Sequence, residues 1–130
     1  DSVAAQLREL NVPKKPIGVM GTKGTIELGL YQYHLNKQGW DCKVPSAEDM
    51  NQYVQPGIDM VKAGYINDAY KLFLPVIRRL VEEEHVAAVV LGCTEIPLAV
   101  KQTWFHETPI VNSIDSLVKS AIKISIDHGY

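Results

Sequence analysis

The sequence predicts an α/β protein, a three-layer α/β/α sandwich around a short, mostly parallel, four-stranded sheet. Short apolar runs such as "PIGVM", "VAAVVL" and "PIV" alternate with stretches of helical period. Continuous Val/Ile/Leu runs are the mark of strands covered on both faces. With 130 residues, 46% of them hydrophobic, the chain has material for one core, so one domain over 1–130 is expected.

Each element has its own local reason. "DSVAAQLREL" carries Val3, Ala4, Leu7 and Leu10 at helical spacing, and Pro13 and Pro16 stop any continuation. "PIGVMG" is a first strand closed by glycine. In "TKGTIELGLYQYHLNKQG", Ile26, Leu30, Tyr33 and His34 or Leu35 share one face of a helix. "WDCKVP" reads as a second strand. Ser46, with Asp49 three residues on, opens a helix through about Ala63. Asn67 caps a longer helix with Leu72, Phe73, Val76, Ile77, Leu80 and Val81 on its apolar side, and Pro75 inside it should kink or split it. Val86–Leu91 is the third strand, followed by a short helix after Glu95 that holds Pro97 in its first turn. "PIVNSIDSLVKSAIKISIDHG" supplies the last strand and a closing helix.

Composition excludes several partners. The net charge is −2 and the basic residues are scattered, so no nucleic-acid surface is expected. No apolar run reaches the roughly 18 residues of a membrane span, and the N-terminus lacks a basic leader, so a cytoplasmic, membrane-free protein is expected. The two cysteines, Cys42 and Cys93, lie far apart and suggest neither a metal site nor a disulfide framework.

In such sheets ligands bind beyond the carboxyl ends of the strands. Two strand-to-helix loops qualify: Gly21-Thr22-Lys23-Gly24-Thr25 after the first strand and Gly92-Cys93-Thr94-Glu95 after the third. Glycines admit a ligand close to the backbone, and N–H groups at a helix start favour a carboxylate or phosphate. The first loop also fits an ordinary turn in which Thr25 caps a helix. In the second, a thiol beside the unpaired N–H groups of a helix start is expected to have a lowered pKa, fitting it as base or nucleophile. The competing reading is a small apolar residue packed behind the strand.

"GCTEIPL" followed by "PIVNSID" resembles the second cysteine motif of the pyridoxal-phosphate-independent aspartate/glutamate racemase family. "GTKGT" and the "VKAG" of 61–64 add to the resemblance, which covers nearly the whole chain. Racemisation removes the α-proton on one face and returns one on the other, so two acid/base groups must flank the carbon. The resemblance implies that both are cysteines, one from each of two similar α/β domains, with no cofactor and no metal. Cys93 matches the cysteine of the second domain. Thr94 matches the neighbouring hydroxyl for a substrate carboxylate, and Glu95 orients the thiol or the substrate ammonium. Lys62 matches a lysine that approaches the carboxylate, and it also fits a solvated helix end. Thr22 and Thr25 add polar contacts. The acidic residue after the threonine points by resemblance to aspartate over glutamate.

The departure is that nothing here supplies the first cysteine, and Cys42 reads as a strand residue. The chain therefore resembles a C-terminal domain, opens on Asp1 inside a helical pattern, and is expected to be part of a longer protein and inactive alone. The helices of 1–12 and 113–130 are expected at the interface with the missing first domain, and the echo between "DSVAAQL" and "DSLVKSAI" fits duplication. Without that domain, self-association through Leu117, Val118, Ala121 and Ile122 is expected. Two alternatives stay open: a related cysteine enzyme of the maleate isomerase, arylmalonate decarboxylase or hydantoin racemase type, and a non-catalytic carboxylate-binding domain.

Overall fold

The computed structural model of the protein describes residues 2–113. The expected closing helix, with Leu117, Val118, Ala121 and Ile122, lies outside the described residues. β1 (Ile17–Met20), β2 (Cys42–Lys43), β3 (Ala88–Leu91) and β5 (Thr108–Asn112) are parallel, while β4 (Trp104–Phe105) runs back along β5. The sheet order is β2-β1-β3-β5-β4. The expectation of four strands is thus corrected to five. β4 is two residues long and joins β5 through a tight turn in which His106 takes a positive φ of 53°, too short a strand to show any period.

Side-chain alternation divides the sheet's contacts between two cores, as the pleat requires. Ile17, Val19, Ala88, Val90 and Val111 face one side, with Val3, Ala4 and Leu7 of α1 (Ser2–Glu9), Leu35 and Trp40. Met20, Val89, Leu91 and Ile110 face the other, which holds Ile58, Phe73, Val76 and Ile77. The apolar side of α1 is therefore buried on this chain's own sheet. That helix ends at Glu9, and Asn11, in the left-handed region at φ 55°, turns the chain before either proline is reached.

The single helix expected after β1 is two: α2 (Lys23–Leu28) and α3 (Leu30–Lys37), broken at Gly29, whose φ is 69°. The break turns the shared face apart, so Leu35 is buried while Leu28, Leu30 and Tyr33 are exposed. After β2, the Ser46 hydroxyl accepts the Asp49 N–H and opens α4 (Ala47–Asp49), as expected. A π-helical turn over Met50–Val54 and α5 (Gln55–Lys62) continue it. The Gln55 N–H reaches back to the Met50 carbonyl, and Pro56, which follows, has no N–H to give.

α6 (Ile66–Glu82) passes through Pro75 without splitting, and its N-cap is Tyr65 rather than Asn67. Proline costs about 3 kcal/mol in a helix interior. Burial of Ala69, Phe73, Val76, Ile77 and Leu80 on one continuous face outweighs it, at about 1.5–3 kcal/mol for each large side chain. Phe73 needs Gly57 opposite it: a Cβ there would lie 2.5 Å from the ring. α7 (Ile96–Ala99) carries Pro97 in its first turn, as expected.

Topology fixes the position of the site. From β1 the chain leaves over one face through α2 and α3 to β2; from β3 it leaves over the other through α7 to β5. The connections diverge between β1 and β3, and a crevice at the carboxyl ends of those two strands is the consequence.

Candidate functional site

The two polar loops meet at that crevice. Met20 pairs with Leu91 in the sheet, and one residue on, the Gly92 N–H donates to the Met20 carbonyl at 2.6 Å. Gly21 and Gly92 then lie side by side, with 3.8 Å between a Cβ built on Gly21 and the Gly92 carbonyl carbon.

On the β1 side, Thr22 is the N-cap of α2, and its hydroxyl accepts the Thr25 N–H at 3.1 Å. The expected cap, Thr25, is corrected to Thr22. Thr25 sits one turn in, with its hydroxyl 2.9 Å from that of Thr22. The pair forms a half-buried hydroxyl cluster beside the Cys93 loop.

On the β3 side, Cys93 is half-buried and free. The Ile96 N–H donates to its sulfur at 3.4 Å. Its pKa is nevertheless raised, chiefly by burial; the backbone N–H groups of Ile96 and Glu95 pull it down, and the Glu95 carboxylate, by charge and as hydrogen-bond acceptor, pushes it up. The expectation of a lowered thiol pKa is corrected. α7 is only four residues long, which leaves little helix dipole, and an acidic residue sits two positions away. Thr94 is exposed and its hydroxyl donates to Glu95 Oε2 at 3.0 Å, so it must turn away from that carboxylate to meet a ligand.

Lys62 is exposed at the last turn of α5, a helix that packs against α7. It makes no hydrogen bond or ion pair with the described residues of the two loops. Thr22, Thr25, Cys93, Thr94 and Glu95 are therefore brought together, and Lys62 stands on a neighbouring element. Cys42 lies in β2, as expected, with its pKa pushed up to about 11 by burial and by Asp41.

Two clefts adjoin the loops. One, of about 190 Å³, is lined by Leu91 and Pro97, which bracket the Cys93 loop, and by Gln102 and Asn112. The other, of about 250 Å³, runs from Lys23 and Ile26 to Pro45 and Met50. A third, around Val44, Ser46 and Arg79, lies on the α6 side and is bordered by the two-pronged Arg79–Asp49 pair at 2.7 and 2.8 Å. No group of three or more His, Cys, Asp or Glu among the described residues could hold a metal ion, and no described helix is long and apolar enough to cross a membrane.

Sequence reasoning missed Tyr31 and Asn112. Asn112 is the last residue of β5, in the strand row that ends at the crevice. The Tyr31 ring packs on Gly92, a long-range contact with no local signal in the chain.

A model of the Asp/Glu/hydantoin racemase family matches residues 1–121. A glutamate racemase from Aliarcobacter butzleri (strain RM4018) is 26% identical over 129 residues, which are 93% of this chain and 47% of that protein. A protein of Pectobacterium carotovorum subsp. carotovorum, described only by its position in the pnlA 3' region, is 32% identical over 115 residues, covering 87% of this chain and 75% of its own length. The crystal structure of an aspartate racemase homologue from Pyrococcus horikoshii OT3 superposes with a TM-score of 0.80 at 25% identity, over 96% of this chain and 54% of that one. The chain thus spans about half the length of the glutamate racemase and of the aspartate racemase homologue.

Proposed function

The chain belongs to the Asp/Glu/hydantoin racemase family, and we propose that it supplies one of two thiol acid/base groups, Cys93, for racemising a small amino acid, aspartate or glutamate, without a cofactor. The observation that carries this reading is the meeting of the Cys93 loop with the Thr22–Thr25 hydroxyl pair at the β1/β3 crevice.

Racemisation through two flanking groups needs one that takes a proton and one that gives it. Burial and the Glu95 carboxylate both favour the protonated form of Cys93. In the resting site Cys93 is the proton donor of the pair, and it becomes the base once it has delivered its proton to the α-carbon. The substrate carboxylate is held by Thr94, Thr22 and Thr25, with Lys62 closing on it as a cation; Glu95 orients the thiol and faces the substrate ammonium. The opposite face needs a second domain with its own thiol, since Cys42 lies in β2 with its pKa pushed up to about 11.

The test is a chiral assay of L-aspartate and L-glutamate with the complete protein that contains this chain. Turnover that is lost in Cys93→Ser and retained in Cys42→Ser supports the proposal, as does the absence of turnover by the 130-residue chain alone. Full turnover in Cys93→Ser overturns it. Turnover of a different carboxylate, such as maleate or an arylmalonate, would assign the thiol to a related reaction.

A further inference from the structure

We propose that Tyr31 is a positioning residue for Cys93: its ring is a stop against which Gly92 rests, and this contact sets where the thiol stands. The inference rests on the reading of Cys93 as the acid/base group, but its geometry is independent of any substrate.

A Cβ built on Gly92 would lie 2.9 Å from Tyr31 Cε2 and 3.3 Å from Cδ2, and 3.2 Å from the Met20 carbonyl oxygen. Gly92 is not among the residues with positive φ, so its backbone admits any side chain. What crowds one is the ring first, at 2.9 Å, and then the Met20 carbonyl oxygen at 3.2 Å. Tyr31 is itself held. It packs on the core that contains Val19, Leu35 and Val90, and the adjacent Gln32 ties α3 back to α2 through its Nε2, which donates to the Ile26 carbonyl at 3.1 Å. The ring contact and the Gly92 N–H bond to Met20 at 2.6 Å together fix the start of the loop. One residue later comes Cys93, whose hydrogen bond from the Ile96 backbone N–H is already long at 3.4 Å. A small shift of Gly92 therefore separates the sulfur from a donor that favours its thiolate, while Glu95, the charged group facing it, continues to oppose ionisation.

The experiment is the rate of alkylation of Cys93 by iodoacetamide against pH, mapped by mass spectrometry, with Cys42 as internal reference. It reads the thiol without needing turnover, so it can succeed even where racemase activity fails. Gly92→Ala should slow Cys93 labelling several-fold near neutral pH and leave Cys42 unchanged. In the Tyr31→Ala background the same change should move the Cys93 profile clearly less than it does in the parent, since only the Met20 carbonyl then crowds the new methyl. Tyr31→Phe, which keeps the ring, should match the parent, and this comparison with Tyr31→Ala stands if Gly92→Ala does not fold. An equal effect of Gly92→Ala in both backgrounds, or identical Cys93 profiles for Tyr31→Ala and Tyr31→Phe, overturns the proposal.

Discussion

The backbone N–H of Ile96 points at the sulfur of Cys93 across 3.4 Å, and two residues from that sulfur Glu95 works against it. The thiol is balanced between groups that favour its two protonation states, and burial tips the balance toward the neutral form. A proton-transfer group needs such a balance, because it must both hold a proton and release it.

Cys93 should react faster with alkylating reagents than Cys42 near neutral pH. Both thiols are raised by burial, but Cys42, pushed up to about 11, has Asp41 beside it and nothing that lowers its pKa, whereas two backbone donors lower that of Cys93. The thiolate is the reacting species. Mass-spectrometric mapping at limiting reagent checks this, and faster labelling of Cys42 would contradict it.

Glu95→Gln should move the Cys93 labelling profile to lower pH. The carboxylate raises the thiol pKa by charge and by accepting its hydrogen bond; a neutral amide removes the charge, so more thiolate is present at any pH below the midpoint. A midpoint lowered by about one pH unit gives about tenfold more thiolate well below it. An unchanged midpoint would remove Glu95 from the electrostatics of the site.

Lys62→Ala in the complete protein should lower kcat/KM while the melting temperature hardly changes. The side chain is exposed, and substitutions at such positions usually stay within about 0.5 kcal/mol. A large fall in melting temperature with normal kinetics would make Lys62 a structural residue.

Gly57→Ala should destabilise the fold by about 1–3 kcal/mol, the usual range for overpacking. The new methyl would meet the Phe73 ring at 2.5 Å where α5 and α6 cross. Denaturant midpoints read the loss, and Phe73→Leu in the same background should recover part of it. A midpoint equal to that of the parent would show that the two helices separate freely.

Much of this arrangement was legible from local chemistry. β1, β3 and β5 were visible as apolar runs because both of their faces are buried, and Ser46 announced its helix because its cap is a contact of three residues' span. The Gly92-Cys93-Thr94-Glu95 loop was found because strand-to-helix junctions carry their polar residues in sequence. What escaped was set by longer-range or finer balances. Gly29 breaks a helix whose apolar spacing runs straight through it. Pro75 is overridden by a buried face spread over Ala69–Leu80. β4 is a pairing with β5, invisible in "WF" alone. The direction of the Cys93 pKa depended on how deeply the loop sits and on the length of α7, neither of which a motif states. The contact between Tyr31 and Gly92 joins residues far apart in the chain.

The central claim, that Cys93 moves the α-proton from one face of the substrate, is tested most directly by α-proton exchange in D₂O, followed by NMR for each enantiomer of aspartate and glutamate separately. With the complete protein, both enantiomers of the true substrate should exchange. In Cys93→Ser, exchange should fall far more for the enantiomer whose α-proton faces Cys93 than for the other, whose proton is taken by the remaining thiol. Parental exchange of both enantiomers in Cys93→Ser would contradict the account.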